Sequence, residues 1–374
     1  MSTLDTLPLA RWSDAEHRPI VIGGPCSAES EAQVLESAAR LKGARIDYFR
    51  AGIWKARTRP SNFEGIGDAA LPWLRRAGLQ YGMKTATEVA TPAHVEAALK
   101  HGIDLIWIGA RTTVNPFSVQ EIADSLRGVN VPVLVKNPTS PDMGLWIGAI
   151  ERIHRAGVRA LGVIHRGFSV AGSRRFRNAP MWEMAIELRR LHPTLPIITD
   201  PSHITGRRDM VLEIAQRAMD LGLDGLMIEA HPNPDQAWSD AAQQVTPERL
   251  GEILALLKVR RETSANVEYL ASLEVLRDRI DHLDHDILEL LARRMRVVEE
   301  IGEYKRANNV ATLQVSRWSA LLADRLAQAQ ELGLTEEYAR ALYEIIHRES
   351  VRRQSEVMSE EPAGSSSPRS GENA

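Results

Sequence analysis

Four basic residues lie close together near the start of this chain: Arg50, Lys55, Arg57 and Arg59. The residues between them include Gly, Trp and Thr, and none of them is acidic. A solvated helix face with this much charge usually alternates acidic and basic side chains. Because the planar guanidinium group of Arg matches the geometry of phosphate and carboxylate, the cluster predicts an anion-binding site. The alternative is a basic loop that is simply solvated.

The cluster follows the second of eight short apolar segments that alternate with longer helical patterns between residues 19 and 258. The predicted strands are 19–23, 48–51, 81–85, 105–109, 132–136, 160–164, 196–199 and 225–230. Predicted helices between them include 29–41, 92–101, 182–192 and 207–221. This alternation predicts an α/β fold, a (β/α)8 TIM barrel. A doubly wound Rossmann-type sheet is the alternative, but no GxGxxG motif follows the first predicted strand.

Four potential metal ligands follow predicted strands 1, 7 and 8, namely Cys26, His203, Glu229 and Asp240. The functional side chains of a (β/α)8 barrel lie at the carboxyl ends of its strands, so these four should meet there. Thiolate, imidazole and carboxylate ligands together suit a divalent transition metal (Mn, Fe, Co or Zn) better than Mg or Ca. Each residue alone has an ordinary explanation, since a single Cys, for example, is often a small buried hydrophobe. Because all four residues should meet at one end of the barrel, a metal site is favoured over four separate explanations.

Basic residues lie at the carboxyl ends of four other predicted strands, the second, fourth, fifth and sixth. They are Arg50, Lys55, Arg57, Arg111, Lys136 and Arg166. Positive charges gathered at one end of a barrel would repel one another unless anions lay between them. The pattern therefore predicts that the barrel binds either two anionic substrates or one polyanion.

The pattern changes after Lys258. Apolar residues from Leu273 to Tyr304 recur at alternating spacings of three and four, which predicts an amphipathic helix of about 50 Å. Further helices are predicted at 317–332 and 335–358. Because a small monomer cannot bury so long a seam, we expect a homodimer, or a higher assembly, through this region. The predicted organisation is a barrel at 1–258, a linker at 259–267, a helical domain at 268–358 and a disordered tail at 359–374.

Arg294 lies on the apolar seam of the long helix, where an unpaired charge would be costly, so we expect an anion there. At about 100° per residue, Lys305 lies within about 20° of Arg294, whereas Arg277 points roughly 80–100° away from both. Ser350 and Gln354 share a face of the last predicted helix. The alternative is a coiled-coil interaction domain whose basic residues lie at the rim.

The composition excludes several broad classes of function. The net charge of −3 argues against a nucleic-acid-binding surface, and no apolar run approaches the ~18 residues of a membrane span. Residues 1–18 are polar and lack the apolar core of a signal peptide. A single Cys excludes an internal disulfide framework. We therefore expect a cytoplasmic protein with neither a nucleic acid nor a membrane as its partner.

Five short motifs of the barrel region resemble those of the type I 3-deoxy-D-arabino-heptulosonate 7-phosphate (DAHP) synthases, in particular the Iβ branch. They are GPCS at 24–27, KART at 55–58, GAR at 109–111, KNP at 136–138 and DPSH at 200–203. The likeness covers nearly all of residues 19–258, with a departure at Ala56, where the family usually has Pro. The related 3-deoxy-octulosonate 8-phosphate synthases share the barrel and the chemistry, but the Lys-x-Arg-Thr run argues against them.

This resemblance implies a condensation of phosphoenolpyruvate (PEP) with erythrose 4-phosphate. It implies that PEP is bound by Arg50, Lys55, Arg111, Lys136 and Arg166. It also implies that Arg57 and Thr58 bind the phosphate of the aldehyde substrate and that Glu88 positions a water beside PEP. Lys55 and His203 are candidates for proton transfer. The metal would act as a Lewis acid on the aldehyde carbonyl.

Residues 270–357 resemble the all-helical chorismate mutases, which rearrange chorismate to prephenate without a metal or a nucleophile. The likeness rests on Leu276, Arg277, Ile280, Leu283, Asp284, Arg294, Lys305, Arg317, Ser350 and Gln354. It implies an interlocked dimer in which Arg277 enters the partner's site. The substrate would be bound by Arg277, Arg294, Arg317 and Ser350, and its ether oxygen would be stabilised by Lys305 and Gln354. Gln314 and Trp318 depart from the Asp and Glu that this family often has.

The two resemblances together imply a bifunctional enzyme of the shikimate pathway and of aromatic amino acid biosynthesis. The fusion itself predicts feedback inhibition of the barrel by prephenate. In an alternative hypothesis the helical domain is only an allosteric sensor, which binds chorismate or prephenate without turnover. A third hypothesis, a tail that only oligomerises, is disfavoured by Arg294 on the seam.

Overall fold

The computed structural model describes residues 4–13, 19–55, 62–170, 172, 175–260 and 263–359. It divides the chain into two compact units, residues 1–262 and 263–374. The first unit contains a closed barrel of eight parallel strands that follow one another in chain order. Helices lie between successive strands. This architecture confirms the predicted (β/α)8 barrel.

The barrel strands are short and mostly buried. They are β1 (Ile20–Gly24), β2 (Tyr48–Arg50), β3 (Lys84–Val89), β4 (Leu105–Ile108), β5 (Val133–Lys136), β6 (Leu161–His165), β7 (Ile197–Thr199) and β8 (Gly225–Glu229). β1 pairs in parallel with β8, with Ile20 beside Gly225, and this pairing closes the barrel. One core cluster includes Ile22, Trp107 and Met227, and a larger cluster includes the apolar faces of the surrounding helices.

Ten α-helices lie in the described part of the first unit. They are α1 (Glu31–Leu41), α2 (Leu71–Tyr81), α3 (Pro92–Lys100), α4 (Ala110–Thr113), α5 (Pro116–Ser125), α6 (Met143–Arg155), α7 (Trp182–Leu191), α8 (Pro201–Thr205), α9 (Val211–Asp220) and α10 (Pro247–Leu256). Short 3-10 helices lie at Leu9–Arg11, Asp68–Ala70, Arg208–Met210, Pro234–Gln236 and Ala241–Gln243. Helix α1 begins later than the predicted residue 29 because the Ser30 side chain accepts a hydrogen bond from Gln33 N and caps the helix.

The third strand lies later than the sequence predicts. The apolar pattern predicts a strand at 81–85, whereas β3 runs from Lys84 to Val89. The prediction is wrong because Tyr81 is the last residue of α2, which Gly82 ends in the left-handed conformation at φ +68°. The shift places Glu88 inside the strand, one residue before its end.

The described part of the second unit consists of three helices. They are α11 (Val267–Ala307), α12 (Val315–Glu331) and α13 (Glu336–Ser359). With 41 residues, α11 is about 60 Å long. The sequence assigns Val267 to a linker, but α11 begins there because the Asn266 side chain accepts a hydrogen bond from Tyr269 N. Ser359 ends α13, and the rest of the predicted tail lies outside the described residues.

Helix α11 leaves an apolar face uncovered along its amino-terminal half. Leu276, Ile280, Leu283 and Ile287 are 51%, 56%, 61% and 53% exposed. Contacts between α11 and α13 join the carboxyl-terminal half of α11, for example through Glu299 and its ion pair with Arg353. Within the described ranges, no helix combines the length and the apolar character that a membrane span requires.

Candidate active sites

Three residues at the carboxyl ends of barrel strands form a compact group of potential metal ligands. Cys26 follows β1, Glu229 ends β8, and Asp240 lies in the loop after β8. One ligand atom from each lies within 4.8 Å of the other two. The Cys26 thiol donates to Asp240 Oδ2 at 3.3 Å, and both Cys26 and Glu229 are fully buried. A thiolate and two carboxylates at such distances could hold a transition metal.

His203 borders this group from helix α8. Its Nδ1 lies 2.8 Å from Asp200 Oδ2, and its Nε2 lies 3.9 Å from Glu229 Oε1. Asp200 also accepts, through Oδ1, a hydrogen bond from His203 N and so caps α8. The Asp200 carboxylate therefore caps α8 and also orients the His203 imidazole. The Nε2 atom of that ring faces the Glu229 carboxylate.

Burial raises the pKa of the Cys26 thiol to about 12, and the charge of Glu229 adds to this effect. Lys55 opposes it, since Lys55 Nζ donates to Cys26 Sγ at 3.0 Å. Burial alone would raise the pKa values of Glu229 and Asp240, but His203 when protonated, together with Lys55 and the neighbouring Arg side chains, holds both below their usual range. The two carboxylates are therefore ionised, and a bound cation would favour the thiolate of Cys26.

Two of the buried cations lie directly beside carboxylates. Arg50 Nη1 lies 3.2 Å from Glu229 Oε1, and Lys136 Nζ donates to Asp200 Oδ2 at 2.9 Å. The indole of Trp107 lies against both cations, with its ring 4.9 Å from Arg50 Cζ and 5.8 Å from Lys136 Nζ. An aromatic face stabilises positive charge at such distances. Trp107 reads as an ordinary core residue in the sequence, so its place at the site was not predicted.

Arg166 is held after β6 by two Asn side chains that the sequence did not identify as site residues. Asn137 Oδ1 accepts from Arg166 N at 2.7 Å, and Asn178 Oδ1 accepts from Arg166 Nη1 at 2.7 Å. Burial lowers the pKa of Arg166 to about 10, and the charge of Arg111, on the exposed side of α4, contributes to the shift. Neighbouring cations in a poorly solvated place favour a bound anion.

Glu88 reaches the same end of the barrel from within β3. Trp107 Nε1 donates to Glu88 Oε2 at 2.9 Å. A Cβ atom at Gly109 would lie 2.3 Å from Glu88 Oε1, so this glycine leaves the room that the carboxylate occupies. A cavity of about 340 Å³ is lined by Trp54, Lys55, Glu64, Glu88, Val89, Ala90 and His94. Glu88 and Lys55 therefore face one open space.

The loop that carries the basic cluster is described only as far as Lys55. Arg57 and Thr58, which the sequence predicts to bind the aldehyde's phosphate, lie outside the described residues. Ala56 and Arg59 lie outside them as well. The described basic residues are therefore those of the predicted PEP side of the site.

In the second unit, two polar pairs link α11 with α13. Arg294 Nη1 donates to Ser350 Oγ at 2.6 Å, and Lys305 Nζ donates to Gln354 Oε1 at 3.0 Å. Ser350 and Gln354 are buried, and burial lowers the pKa of Arg294. Lys305 Nζ also donates to Thr312 O at 2.6 Å. The structure thus brings four of the predicted residues together on two facing helices.

Other predicted residues of this unit lie apart from the two pairs. Arg277 is exposed, lies 3.6 Å from Glu274, and precedes Arg294 by 17 positions (294 minus 277), about 25 Å along the helix. Arg317 on α12 is exposed. A cavity of about 360 Å³ is lined by Ile287, Leu290, Leu291, Arg294, Leu321, Arg325, Tyr343 and Ile346. Within one chain, Arg277 does not reach this cavity.

The two positions that depart from the family pattern lie at the start of α12. The Trp318 ring stacks on His347, with 3.9 Å between the ring centroids. Gln314 precedes the helix and makes no side-chain cap. An aromatic stack therefore stands where the resemblance leads one to expect a carboxylate.

The fold and the buried, positively charged site define a (β/α)8 barrel enzyme for anionic substrates, followed by a separate helical enzyme unit. The model of the DAHP synthetase I family matches residues 13–265, and that of chorismate mutase type II matches residues 276–355. The chain therefore belongs to the DAHP synthetase I family and carries a chorismate mutase type II domain after its barrel. The two domains make it a bifunctional enzyme of the shikimate pathway.

Similar proteins include phospho-2-dehydro-3-deoxyheptonate aldolases and 2-dehydro-3-deoxyphosphooctonate aldolases. The chain is 32% identical over 241 residues to a phospho-2-dehydro-3-deoxyheptonate aldolase of Thermotoga maritima, which covers 64% of this chain and 68% of the relative. It is 29% identical over 265 residues to a 2-dehydro-3-deoxyphosphooctonate aldolase of Rhodopseudomonas palustris, with 66% and 88% covered. A crystal structure of the T. maritima enzyme superposes with a TM-score of 0.58 at 30% identity, and covers 63% of this chain and 67% of that one.

Proposed function

We propose that the barrel is a metal-dependent DAHP synthase that condenses PEP with erythrose 4-phosphate to give DAHP and inorganic phosphate. The observation that carries this proposal is the group of Cys26, Glu229 and Asp240, which lies directly beside the buried Arg50. Such an arrangement could hold an anionic substrate next to a metal ion that polarises the carbonyl of the aldehyde substrate. The free thiol of Cys26 also suits a reducing compartment, and we place the enzyme in the cytoplasm.

The donor atoms fit a divalent transition metal such as Mn, Fe, Co or Zn. Glu229 Oε1 is buried and accepts no hydrogen bond within the described ranges; Arg50 Nη1 lies 3.2 Å from it, and a bound cation would complete its coordination. Cys26, His203, Glu229 and Asp240 would hold the ion. When bound, it would supply a Lewis acid for the aldehyde carbonyl.

The cations of the site would hold the two substrates. PEP would be bound by Arg50, Lys55, Arg111, Lys136 and Arg166, and the phosphate of the aldehyde by Arg57 and Thr58. Arg50, Lys136 and Arg166 are buried, so a phosphate or carboxylate placed among them would interact strongly with each. Their fixed positions would also hold C3 of PEP close to the aldehyde carbon, which removes the entropic cost of bringing the reactants together.

The reaction forms a bond between C3 of PEP and the aldehyde carbon, with electrons from the enol double bond. The aldehyde oxygen takes up a proton, water adds at C2, and inorganic phosphate leaves. Burial alone would lower the pKa of Lys55, but Cys26 and Glu229 raise it, so Lys55 stays protonated and suits the role of proton donor. Glu88 would position the water. Burial lowers the pKa of His203, which favours the neutral ring needed for ligation or proton transfer.

Removal of the metal tests this proposal. Treatment with a chelator should abolish DAHP formation, and one of Mn, Fe, Co or Zn should restore it. Cys26→Ala should give the same loss without recovery. The chorismate mutase activity of the same samples is the internal control, because that reaction needs no metal. DAHP synthesis that survives both the chelator and Cys26→Ala would contradict a metal-dependent mechanism.

In the helical unit, we propose that Lys305 and Gln354 stabilise the ether oxygen of chorismate as its bond breaks. Arg294, Arg317 and Ser350 would bind the substrate. The support for these roles is the hydrogen bond of 3.0 Å that holds the Lys305 ammonium of α11 beside the Gln354 amide of α13. The rearrangement is intramolecular, so the site has to hold a reactive conformation and needs no nucleophile.

The proposed unit of this second activity is a homodimer, or a higher assembly of such dimers. The uncovered apolar residues of the first half of α11 would pack against a second copy of the chain. Arg277, which is exposed and distant from Arg294, would then enter the partner's site. The chain would contribute residues to two sites, each completed by the other copy.

The alternative role for the helical unit is that of a sensor which binds chorismate or prephenate without turnover. The observation that favours it is the Trp318 and His347 stack, which stands where a carboxylate is usual in chorismate mutases. The loss of chorismate absorbance in the presence of the full-length protein decides between the two. Turnover that disappears in Lys305→Ala and Gln354→Ala supports the enzyme, whereas background rates in all three proteins support the sensor.

We also propose that prephenate inhibits the barrel. The support is the covalent fusion of a domain that forms prephenate to one that acts earlier in the pathway. DAHP formation should fall at saturating prephenate in the wild-type protein and should resist prephenate in Arg294→Ala. Equal rates with and without prephenate in the wild-type protein would rule the proposal out.

A further inference from the structure

Two adjacent Gln residues lie behind the metal-ligand group, and the chemistry proposed above does not use them. Gln243 and Gln244 are buried in the loop after β8, a few residues beyond Asp240. A buried side-chain amide needs partners for both its NH2 and its carbonyl group. In this protein, both amides find those partners among the ligand residues and their immediate neighbours.

Gln243 connects the two carboxylates of the group. Its Nε2 donates to Glu229 Oε2 at 2.7 Å, and its Oε1 accepts from Arg177 Nη1 at 2.6 Å. Arg177 Nη1 also donates to Asp240 Oδ1 at 3.0 Å. Arg177 can lie this close because a Cβ atom at Gly206 would lie 2.5 Å from Arg177 Cβ, and glycine has none. An unbroken path of hydrogen bonds thus runs from Glu229 to Asp240.

This path determines which oxygen each carboxylate offers to the ligand group. Gln243 occupies Oε2 of Glu229, while Oε1 lies 3.2 Å from Arg50 Nη1 and 3.9 Å from His203 Nε2 and accepts no hydrogen bond in the part of the chain that the structure describes. Arg177 contacts Oδ1 of Asp240, and Oδ2 is the oxygen that lies 3.3 Å from Cys26 Sγ. Asp240 therefore turns Oδ2 toward Cys26 and Oδ1 toward Arg177, and Glu229 turns Oε1 toward His203 and Arg50 and Oε2 toward Gln243.

Gln244 supports the third ligand. Its Oε1 accepts from Cys26 N at 2.9 Å, and its Nε2 donates to Ser239 O at 2.8 Å. Ser239 directly precedes Asp240, whose φ of +47° is uncommon for a residue with a side chain. Gln244 therefore fixes the backbone of Cys26 relative to a loop that is held in a strained conformation.

We infer that Gln243 and Gln244 are positioning residues that assemble the metal site before the metal binds. Gln243 orients Glu229 directly and Asp240 through Arg177, and Gln244 sets the distance between Cys26 and Asp240. This inference rests on the proposed metal dependence of the barrel. Outer hydrogen bonds of this kind typically change metal affinity by about 10- to 100-fold when they are removed.

The test measures Co²⁺ binding to the metal-free, full-length protein. Affinity is obtained by competition with a chelator, and the thiolate-to-cobalt charge-transfer absorption reports whether Cys26 is bound. Gln243→Leu and Gln243→Glu both remove the amide donor, the second at nearly constant volume. We expect each to weaken Co²⁺ binding by about 10- to 100-fold and to change the charge-transfer band.

A matched control is available on the outside of the barrel. Gln120, on α5, also joins an Arg to a carboxylate, since it accepts from Arg152 Nη1 at 3.0 Å and donates to Asp124 Oδ1 at 3.1 Å. Gln120→Leu should therefore bind Co²⁺ with the affinity and spectrum of the wild-type protein. Arg177→Met, a change at a partly exposed side chain, should weaken binding by about 10-fold through Asp240.

Wild-type affinity and spectrum in the Gln243 variants would overturn the inference. A wild-type protein that binds no Co²⁺, or a Cys26→Ala variant that retains the charge-transfer band, would instead overturn the metal-dependent function itself. Circular dichroism and thermal unfolding of the metal-free protein show whether the barrel of each variant is folded, because chorismate mutase activity belongs to the other unit and does not report on the barrel. If the Gln243 variants misfold, Arg177→Met decides: unchanged Co²⁺ affinity counts against the inference, and weaker binding supports it.

Discussion

The two sites of this protein hold their positive charges in different ways. At the end of the barrel, Arg50 and Lys136 are buried, and each already lies beside a carboxylate of the same chain. In the helical unit, Arg294 and Lys305 contact a hydroxyl and an amide, which are neutral. The barrel site therefore balances much of its charge before a substrate binds, whereas the helical site keeps its positive charge for a substrate with two carboxylates.

The sites also differ in how much of each is present in one chain. The potential metal ligands and the buried cations of the barrel follow strands of one closed sheet. In the helical unit, Arg277 and the apolar face before Arg294 remain exposed. From this comparison we expect the proposed barrel site to be assembled by a single chain and the proposed mutase site to need a second copy. Substitutions in each site can test this difference.

The largest effect should come from a buried cation of the barrel. Arg50→Met removes one of the proposed PEP-binding cations and leaves the buried Glu229 without its ion pair. We expect DAHP formation to fall by about 10²- to 10³-fold, as for other preorganised charges in active sites. Chorismate rearrangement, measured on the same sample, should stay at the wild-type rate.

A matched control for this variant is Arg75→Met. Arg75 is a partly exposed residue of α2 that lies 3.6 Å from Asp104 on the outer side of the barrel. Both activities should survive this change, because an exposed ion pair contributes little. If Arg50→Met lowered both activities to the same extent, the two sites would not be independent.

A smaller effect, of about 10²-fold on chorismate turnover, is expected for Arg277→Ala and for Arg294→Ala, each tested alone. When the two variants are co-expressed in equal amounts, half of the dimers should contain one copy of each. One of the two sites in such a dimer then carries neither substitution, so about one quarter of the wild-type activity should return. DAHP formation should not change in any of these proteins.

The recovery of activity is the decisive measurement for a shared site. The control is a chain in which both Arg277 and Arg294 are replaced, co-expressed with the wild-type protein in equal amounts. If the site is shared, both sites of a mixed dimer are disabled, and only the wild-type dimers, about one quarter of the total, remain active. If each site is complete in one chain, about one half of the activity should remain. If the two single variants recover no activity after subunit exchange, the mutase site is complete in one chain and the contrast with the barrel fails.

The barrel fold could be predicted because each strand is followed by a helix, and this alternation repeats through the whole first unit. Once the barrel was predicted, the convergence of residues such as Cys26, Glu229 and Asp240 followed from the position of strand ends. The third strand was misplaced because Gly82 looks like part of an apolar run, whereas it ends α2 with a left-handed backbone. Such a conformational role of glycine cannot be distinguished from composition alone.

Residues that act through others were not predictable. Trp107 lies in an apolar strand and reads as core, although its indole contacts Arg50 and Lys136. Gln243 and Gln244 carry no charge and match no ligand pattern, so only their hydrogen bonds connect them with the ligand group. A sequence identifies the side chains that carry the chemistry more readily than the neutral side chains that hold them in place.

The smallest expected effect is a loss of barrel stability at acidic pH, and it follows from the same comparison of the barrel with the helical unit. His165, at the end of β6, is buried; its Nε2 lies 2.6 Å from Pro180 O, and its Nδ1 has no hydrogen-bond partner among the described residues. Burial lowers the pKa of His165 to about 4. In the helical unit, by contrast, His285 is exposed beside Glu289, and His347, whose pKa burial also lowers, is only partly buried. Acid should therefore weaken the barrel through the buried His165. His285 of the helical unit is exposed and offers no such buried group.

The sign of the effect follows from proton binding. Between pH 6.5 and about 4, the unfolded chain carries a proton on His165 and the folded chain does not. The free energy of unfolding therefore falls as the pH falls through this range, by about 1.4 kcal/mol for each pH unit, or tenfold in the folding equilibrium. His165→Gln keeps a donor for Pro180 O and removes the titration, so urea unfolding of the metal-free barrel should depend less on pH by that amount. Equal pH slopes for the variant and the wild-type protein between pH 6.5 and 4.5 would show that His165 takes up its proton in the folded barrel, and that this end of the barrel is better solvated than its buried ion pairs indicate.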